Sequence, residues 1–173
     1  TAANMEIEEN LAMAFRRGKT RSLAWGIKNS ERNLYYEKLE LLGLGLENRM
    51  HSKVGLLSGG QRQALTLLMS TLQKPDLLLL DEHTAVLDPK TASRVLELTK
   101  KFIEKDHLTA FMVTQNMMHA IEYGNRLIMM MNGKIVYDVR GEEKKNLKVD
   151  DLLAKFGAAG EMNDRMMLES KAF

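Results

Sequence analysis

Residues 57–82 read LSGGQRQALTLLMSTLQKPDLLLLDE, and this stretch decides the fold. Ser58-Gly59-Gly60 stands directly before a Leu- and Ala-rich segment whose pattern predicts a helix over 61–73. Glycines at that place expose several backbone N–H groups, and the helix dipole adds partial positive charge, which suits an anion such as phosphate. Ser58 adds a hydroxyl donor, and Gln61 follows as a further polar group. A simple capped turn accounts for these residues equally well. Leu77 to Leu80, bounded by Pro75-Asp76 and by two acids, predicts a strand buried on both faces. A buried strand that delivers two adjacent carboxylates to its end is costly unless they have a task. Asp81 can hold Mg²⁺ directly or through water. Glu82 can orient and deprotonate a water that attacks a phosphate. The alternative is an acid pair that caps a neighbouring group.

Downstream, Asp88 and Pro89 open a helix predicted over 89–105, as cap and first residue. Leu108 to Val113 reads as a strand, and residues 116–123 as a short helix closed by Gly124. Arg126–Met131 and Lys134–Val139 flank Asn132-Gly133, the dipeptide preferred in a two-residue hairpin turn. A last helix is predicted over 149–156. Strand, helix, strand, helix, strand implies a parallel sheet with right-handed crossovers, whose ligands sit at the carboxyl ends of the strands. Asp81, Glu82, Thr114 and Gln115 are at such ends. Upstream, a helix over 4–15 has Asn4 as cap, acids Glu6, Glu8 and Glu9 in its early turns, and Ile7, Leu11 and Ala14 on one face. Arg16 to Arg21 is a basic loop. Ser30 caps a second helix through Leu42, which Gly43-Leu44-Gly45 ends. The first 57 residues are thus mostly helical, with no convincing strand.

The chain of 173 residues is 45% hydrophobic, enough for one domain with a core. With 25 basic and 23 acidic residues the net charge is +2, which gives no electrostatic ground for a nucleic-acid partner. There is no cysteine, so neither disulfides nor thiolate metal sites arise. No apolar run approaches the roughly 20 residues that span a bilayer. The 13 methionines read as flexible core filler. Thr1-Ala2-Ala3-Asn4 is not a signal peptide, and a start at Thr reads as a fragment or a processed product.

The order LSGGQRQ, helix, LLLLDE resembles the ATP-binding subunits of ABC transporters, and the resemblance covers nearly the whole chain. The signature motif matches at Leu57–Gln61 and the Walker B strand at Leu77–Asp81. Glu82 stands where that family carries its catalytic glutamate, and Ala85-Val86-Leu87-Asp88 where it carries the D-loop. The resemblance implies an α/β chain with part of the P-loop NTPase (ABC ATPase) fold: a mostly parallel sheet flanked by helices, plus a helical subdomain. Residues 1–57 would be that subdomain, 58–156 the C-terminal part of the ATPase core, and 157–173 a weakly ordered tail. The implied cofactors are ATP and Mg²⁺. Ser58, Gly59, Gly60 and Gln61 would bind the γ-phosphate of ATP held by the opposite subunit of a head-to-tail dimer. Asp81 would serve Mg²⁺, Glu82 would polarise the attacking water, and Asp88 would signal across the dimer interface. Implied partners are a second ABC ATPase subunit, identical or different, membrane permease subunits and a solute-binding protein. The implied location is cytoplasmic, peripheral on the inner face of the cell membrane. The wording DEHTA at 81–85 and the run EEKKNLKVDDLL at 142–153 look like a subgroup of bacterial importers.

The sequence departs from the family pattern in two places. The Walker A loop, G-x-x-x-x-G-K-[ST], is absent, since Gly18-Lys19-Thr20 has Met13 where the first glycine belongs. The Q-loop glutamine would also precede Thr1. The chain alone is therefore expected to be inactive. The family's switch histidine is replaced by Gln115, which can donate and accept a hydrogen bond but carries no charge, so hydrolysis is expected to be slow. The four histidines, His51, His83, His107 and His119, lie elsewhere along the chain and read as structural. In this family a further strand sits between the one ending at Val113 and the one around Leu127–Met130. Without it, edges carrying Phe111, Met112, Ile128 and Met129 invite aggregation and leave the chain marginally stable. Two other functions compete with the importer motor. One is a non-catalytic module that supplies its signature loop in trans to a complete ATPase. The other is a soluble ABC protein without membrane partners, which the compact stretch Asn4–Leu56 disfavours.

Overall fold

A computed structural model describes residues 1–18 and 26–157, which divide after Val113 into two compact units. In the first, α1 (Ile7–Phe15) and α2 (Asn29–Glu40) precede two single 3₁₀ turns, Glu47–Arg49 and Val54–Leu56. Then come α3 (Gly59–Thr71), β1 (Leu77–Asp81), α4 (Pro89–Asp106) and β2 (Thr109–Val113). The second unit holds α5 (Met117–Glu122), β3 (Arg126–Met131), β4 (Lys134–Arg140) and α6 (Gly141–Lys145), followed by a helix over 149–157. No described helix is long and apolar enough to cross a membrane.

The helix starts differ from their sequence reading. Glu6, not Asn4, is the cap of α1, and its N–H donates to Glu9 Oε2 at 2.8 Å. The side chain that ties down the N-terminal residues is Asn10, fully buried: its Oδ1 accepts the Ala2 N–H at 2.7 Å, and its amide donates to the carbonyls of Ala2 and Glu6. In α2 the cap is Lys28 rather than Ser30, because Glu31 accepts the Lys28 N–H at 3.0 Å. Both starts use an acid three residues into the helix to satisfy an orphan N–H, which relieves the need for a short polar residue at the cap itself.

One apolar cluster runs through the first unit, from Ile7 and Leu11 through Tyr35 and Leu39 to Leu65, Leu68, Leu78 and Phe102. It continues without a break across residues 57 and 58, because α3 packs on both α1 and α2. Strand β1 alternates: Leu78 and Leu80 are buried in this cluster, whereas Leu77 is 51% and Leu79 67% exposed. The expectation of a strand covered on both faces is thus corrected, since only one of its faces meets the cluster. β1 and β2 pair in parallel, with Leu77 opposite Thr109 and Asp81 opposite Val113, and α4 forms the crossover.

The second unit is built around a hairpin. Asn132 and Gly133 both have left-handed φ, 49° and 74°, as a primed two-residue turn requires. β3 and β4 pair antiparallel with an irregularity between Met129 and Met130, and form a sheet separate from β1–β2. Of the expected mostly parallel sheet, the described residues therefore hold one parallel pair and one antiparallel pair. Leu127, Met129, Val139 and Leu152 make a small core. The five-residue α6 has no counterpart in the sequence reading. Its Lys144 is buried and donates to the carbonyls of Ile121 and Tyr123 at the end of α5.

Candidate functional site

Seven of the functional candidates, Ser58, Gly59, Gly60, Gln61, Asp81, Glu82 and Asp88, lie in the first unit, on α3, on β1 and on the segment into α4. α3 leads away from Ser58, and β1 follows it after a short connection. Two contacts bring the start of α3 to the chain that follows the carboxyl end of β1. The segment 82–88 leads from there into α4. Its residue Leu87 lies beside Gly59, where an added Cβ would stand 3.5 Å from Leu87 Cδ2. Gly60 is buried, and a Cβ there would stand 2.0 Å from Thr91 Cγ2. The first turns of α3 and α4 thus lie in direct contact, and at Gly60 a side chain fits only if Thr91 moves.

The turn at Ser58 is closed by its own side chains. Ser58 Oγ accepts the Gln61 N–H at 3.2 Å, and Gln61 Oε1 accepts the Ser58 N–H at 3.1 Å. Arg62 reaches back to the Leu57 carbonyl at 3.2 Å. The capped-turn reading is therefore realised. It leaves the anion reading intact, because the N–H groups of Gly59 and Gly60 have no acceptor within a helix that starts at Gly59. The Ser58 hydroxyl accepts in the cap and keeps its hydrogen to donate elsewhere.

At the end of β1, Asp81 is exposed, so its carboxylate is open to an ion. Glu82 continues the ladder by donating its N–H to the Val113 carbonyl at 3.0 Å, yet its φ is +41°. A non-glycine residue there carries roughly 1–3 kcal/mol of backbone strain, which persists only where the surroundings enforce it. They do so here: the Ala85 N–H donates to the Glu82 carbonyl at 2.9 Å, and His83 Nε2 lies 3.2 Å from Thr99 Oγ1 on α4. The left-handed residue turns the backbone out of the extended line of β1.

Asp88 caps α4, its Oδ1 accepting the Thr91 N–H at 3.0 Å. Hydrogen bonding from Thr91 holds its carboxyl below the usual carboxylate range. Thr91 therefore joins the two motifs: it receives the cap and it seats Gly60. Sequence reasoning missed Thr91, and the paired glycines at 59 and 60 were the only signal of so close an approach.

Ser58, Gly59, Gly60, Gln61, Asp81, Glu82 and Asp88 thus all belong to the first unit. Gln115 belongs to the second, exposed between Thr114 and the α5 cap Asn116, whose N–H donates to Thr114 Oγ1 at 3.1 Å. Of the basic loop, Gly18 is described in a left-handed turn, and Lys19, Thr20 and Arg21 lie outside the described residues. Tested against the implied cofactors, an exposed Asp81 followed by a second carboxylate fits Mg²⁺, which is commonly held by one or two carboxylates and waters. The N–H groups at the start of α3 and the Ser58 hydroxyl are donors of the kind that suit a phosphate.

A family model described as ABC transporter matches residues 2–85. The tyrosine transport ATP-binding protein of Clostridioides difficile is 47% identical over 156 residues, 90% of this chain and 62% of that protein. The methionine import ATP-binding protein MetN 1 of Oceanobacillus iheyensis is 33% identical over 150 residues, 83% of this chain and 42% of its own length. The chain thus spans less than two thirds of these relatives. A dimeric ATP-binding cassette in a post-hydrolysis state, bound to ADP and phosphate, superposes with a TM-score of 0.64 at 28% identity, over 80% of this chain and 57% of that one. The matched segment contains the signature turn, the Walker B strand and its acids, in the α/β arrangement of these cassettes: the chain belongs to the family of ABC transporter ATP-binding subunits.

Proposed function

We propose that the chain is the signature-bearing part of the ATPase motor of a solute importer, working with membrane permease subunits and a second ATPase subunit at the inner face of the membrane. The observation that carries this is the contact of Gly60 with Thr91, which sets the phosphate-binding turn against the helix capped by Asp88. Relatives that transport tyrosine and import methionine support an amino-acid-like solute. The fit to a cassette that is itself dimeric supports pairing with a second subunit.

In this reading ATP, with Mg²⁺, supplies a phosphoryl group open to attack by water. The Gly59 and Gly60 N–H groups and the Ser58 hydroxyl would receive the γ-phosphate of nucleotide held by the other subunit, in the field of the α3 dipole. Asp81 would hold the metal, and Glu82 would accept the proton of the attacking water. Gln115 would offer a neutral hydrogen bond where the family pattern has a chargeable imidazole, and so slow the reaction. No G-x-x-x-x-G-K-[ST] stretch occurs in residues 1–173, so these residues alone would not turn over ATP. The trans-acting module is the second reading. It is favoured by a signature turn that is closed entirely by groups within Thr1–Val113.

ATP turnover tests both readings, measured on these residues alone, mixed with a complete cassette, and fused behind a P-loop segment. The motor reading expects turnover in the fusion, a loss of about 100-fold or more in Glu82→Gln, and a gain in Gln115→His. Stimulation of the complete cassette by a Glu82→Gln chain, lost in Ser58→Ala, is the result for the trans module. Turnover by the 173 residues alone, or a fully active Glu82→Gln fusion, overturns the assignment of roles.

A further inference from the structure

We propose that Glu6, Glu8 and His51 form a binding site for a divalent transition-metal ion of the zinc class, on the helical part of the first unit and separate from the acids at the end of β1. His51 Nδ1 lies 3.1 Å from Glu6 Oε2 and 3.6 Å from Glu8 Oε1, and the three donor atoms all lie within 4.8 Å of one another. Ligands about 2.0–2.1 Å from a tetrahedral Zn²⁺ are themselves roughly 3.3 Å apart. The three atoms need only small side-chain rotations to reach that spacing, with the fourth position left to water.

Three features separate this cluster from a chance gathering of surface charges. First, its backbone is fixed. The start of α1 and residues 50–54 are laced together by hydrogen bonds from Ile7 to Ser52, Glu8 to Met50 and Val54 to Met5, each of 3.0–3.1 Å, with Glu6 and Lys53 as bridge partners. The donors therefore come from two segments whose separation is set before any metal arrives, which removes most of the ordering cost.

Second, the donors have a supporting shell. The Glu8 side chain is only 5% exposed, and Arg32 holds it from behind, Nε to Oε2 at 3.0 Å and Nη2 to Oε1 at 3.1 Å. Outer groups of this kind fix the orientation of metal-ligating carboxylates.

Third, the charges leave room for a cation. Arg32 balances one of the two carboxylates, and the other faces His51, whose ring nitrogen can offer a lone pair to a metal. The positive end of the α1 dipole works against a cation here and limits its affinity. An imidazole donor beside two carboxylates selects zinc-class ions over Mg²⁺ and Ca²⁺, which take oxygen ligands.

The experiment is a titration of the full chain with Co²⁺, read by its visible absorption, together with melting in Zn²⁺ and in Mg²⁺. One equivalent of Co²⁺ with the intense bands of a four-coordinate ion is expected, together with a rise in Tm of a few degrees in Zn²⁺ at about ten to a hundred times its Kd. Mg²⁺ should give no such rise. His51→Gln is expected to weaken Co²⁺ and Zn²⁺ binding at least about 10-fold while leaving the metal-free Tm near its original value, since the ring is 71% exposed. Glu6→Gln provides the same reading through a second ligand. His83, His107 and His119 remain in both variants and report any binding elsewhere. Absence of saturable Co²⁺ binding, or binding unchanged in both variants, overturns the site.

Discussion

The two units of this chain are held together in opposite ways. Among the described residues, the first closes around 18 buried apolar residues drawn from α1 to Leu108, just before β2, so its elements depend on partners far away in sequence. The second closes around four, and leans instead on a hairpin, on the pair of Arg126 Nε with Asp138 Oδ1 at 2.8 Å, and on Lys144 capping the carbonyls of α5. Burying one Leu is worth about 1.5–3 kcal/mol, several times a surface ion pair. The first unit should therefore respond to mutation as a whole and the second locally.

The largest expected effect tests that contrast directly. Leu65, fully buried on α3, becomes a cavity in Leu65→Ala at a cost of about 3 kcal/mol or more. Amide exchange should accelerate throughout Thr1–Val113. Val139→Ala removes less volume from a smaller core, at about 1–2 kcal/mol, and should release amides within 126–140 only. Faster exchange in α1 or α3 of the Val139 variant would break the comparison.

A second contrast lies within the turn at Ser58–Gln61, between its two glycines. Gly60→Ala places a methyl 2.0 Å from Thr91 Cγ2 and should cost about 1–3 kcal/mol by overpacking. Gly59→Ala meets Leu87 at an ordinary 3.5 Å and should change stability by less than about 0.5 kcal/mol. Thr91→Ser removes the methyl that Gly60→Ala strikes, so the double variant should recover most of the loss. A denaturation cycle that shows simple additivity would mean that the two helix starts are not in contact.

That pair of glycines also marks where the sequence was legible and where it was not. Asp88-Pro89 announced the start of α4, and Asn132-Gly133 announced the hairpin, because each works through its own backbone. Ser58, Asp81 and Glu82 were singled out as candidates because phosphate and metal chemistry restricts residue type and spacing. What escaped depends on distant or reciprocal contacts. The caps at Glu6 and Lys28 work through Glu9 and Glu31, so the cap residue carries no signature of its own. The seating of Gly60 on Thr91 joins residues 31 apart in sequence. Four leucines in a row cannot say that Leu77 and Leu79 stay exposed, since that depends on what covers the strand. Nor does Glu82 as a residue type announce a φ of +41°.

Acid separates the units again, by a smaller margin. Hydrogen bonding from Thr91 keeps Asp88 below the usual carboxylate range, and the Arg126 guanidinium does the same for Asp138. For each, the folded state binds its proton less readily than the unfolded chain. The stabilisation is therefore complete above the ordinary carboxylate pKa of about 4 and is lost as the pH falls through the lowered folded value. Asp88→Asn should flatten the acid limb of unfolding read on the first unit, and Asp138→Asn that read on the second. Crossed effects would show that the two units titrate as one.

The smallest expected effect concerns a flaw inside the larger core. Tyr35 is fully buried, packed edge-on to Phe15 with ring centroids 6.1 Å apart, and its hydroxyl has no hydrogen-bond partner among the described residues. An unpaired buried hydroxyl loses its water and gains nothing in exchange, so Tyr35→Phe should be neutral or stabilise by up to about 1 kcal/mol. Burial, helped by the nearby Glu31, pushes the Tyr35 hydroxyl up to about 12. The unfolded chain would release this proton near pH 10, whereas the folded chain keeps it, so stability drains away between pH 10 and 12. Tyr35→Phe should remove that part of the alkaline loss, and the gap between variant and wild type should widen across this range. A Tyr35→Phe variant less stable than wild type at neutral pH would mean that the hydroxyl has a partner after all. The larger core would then hold a polar anchor, as the smaller one does at Lys144.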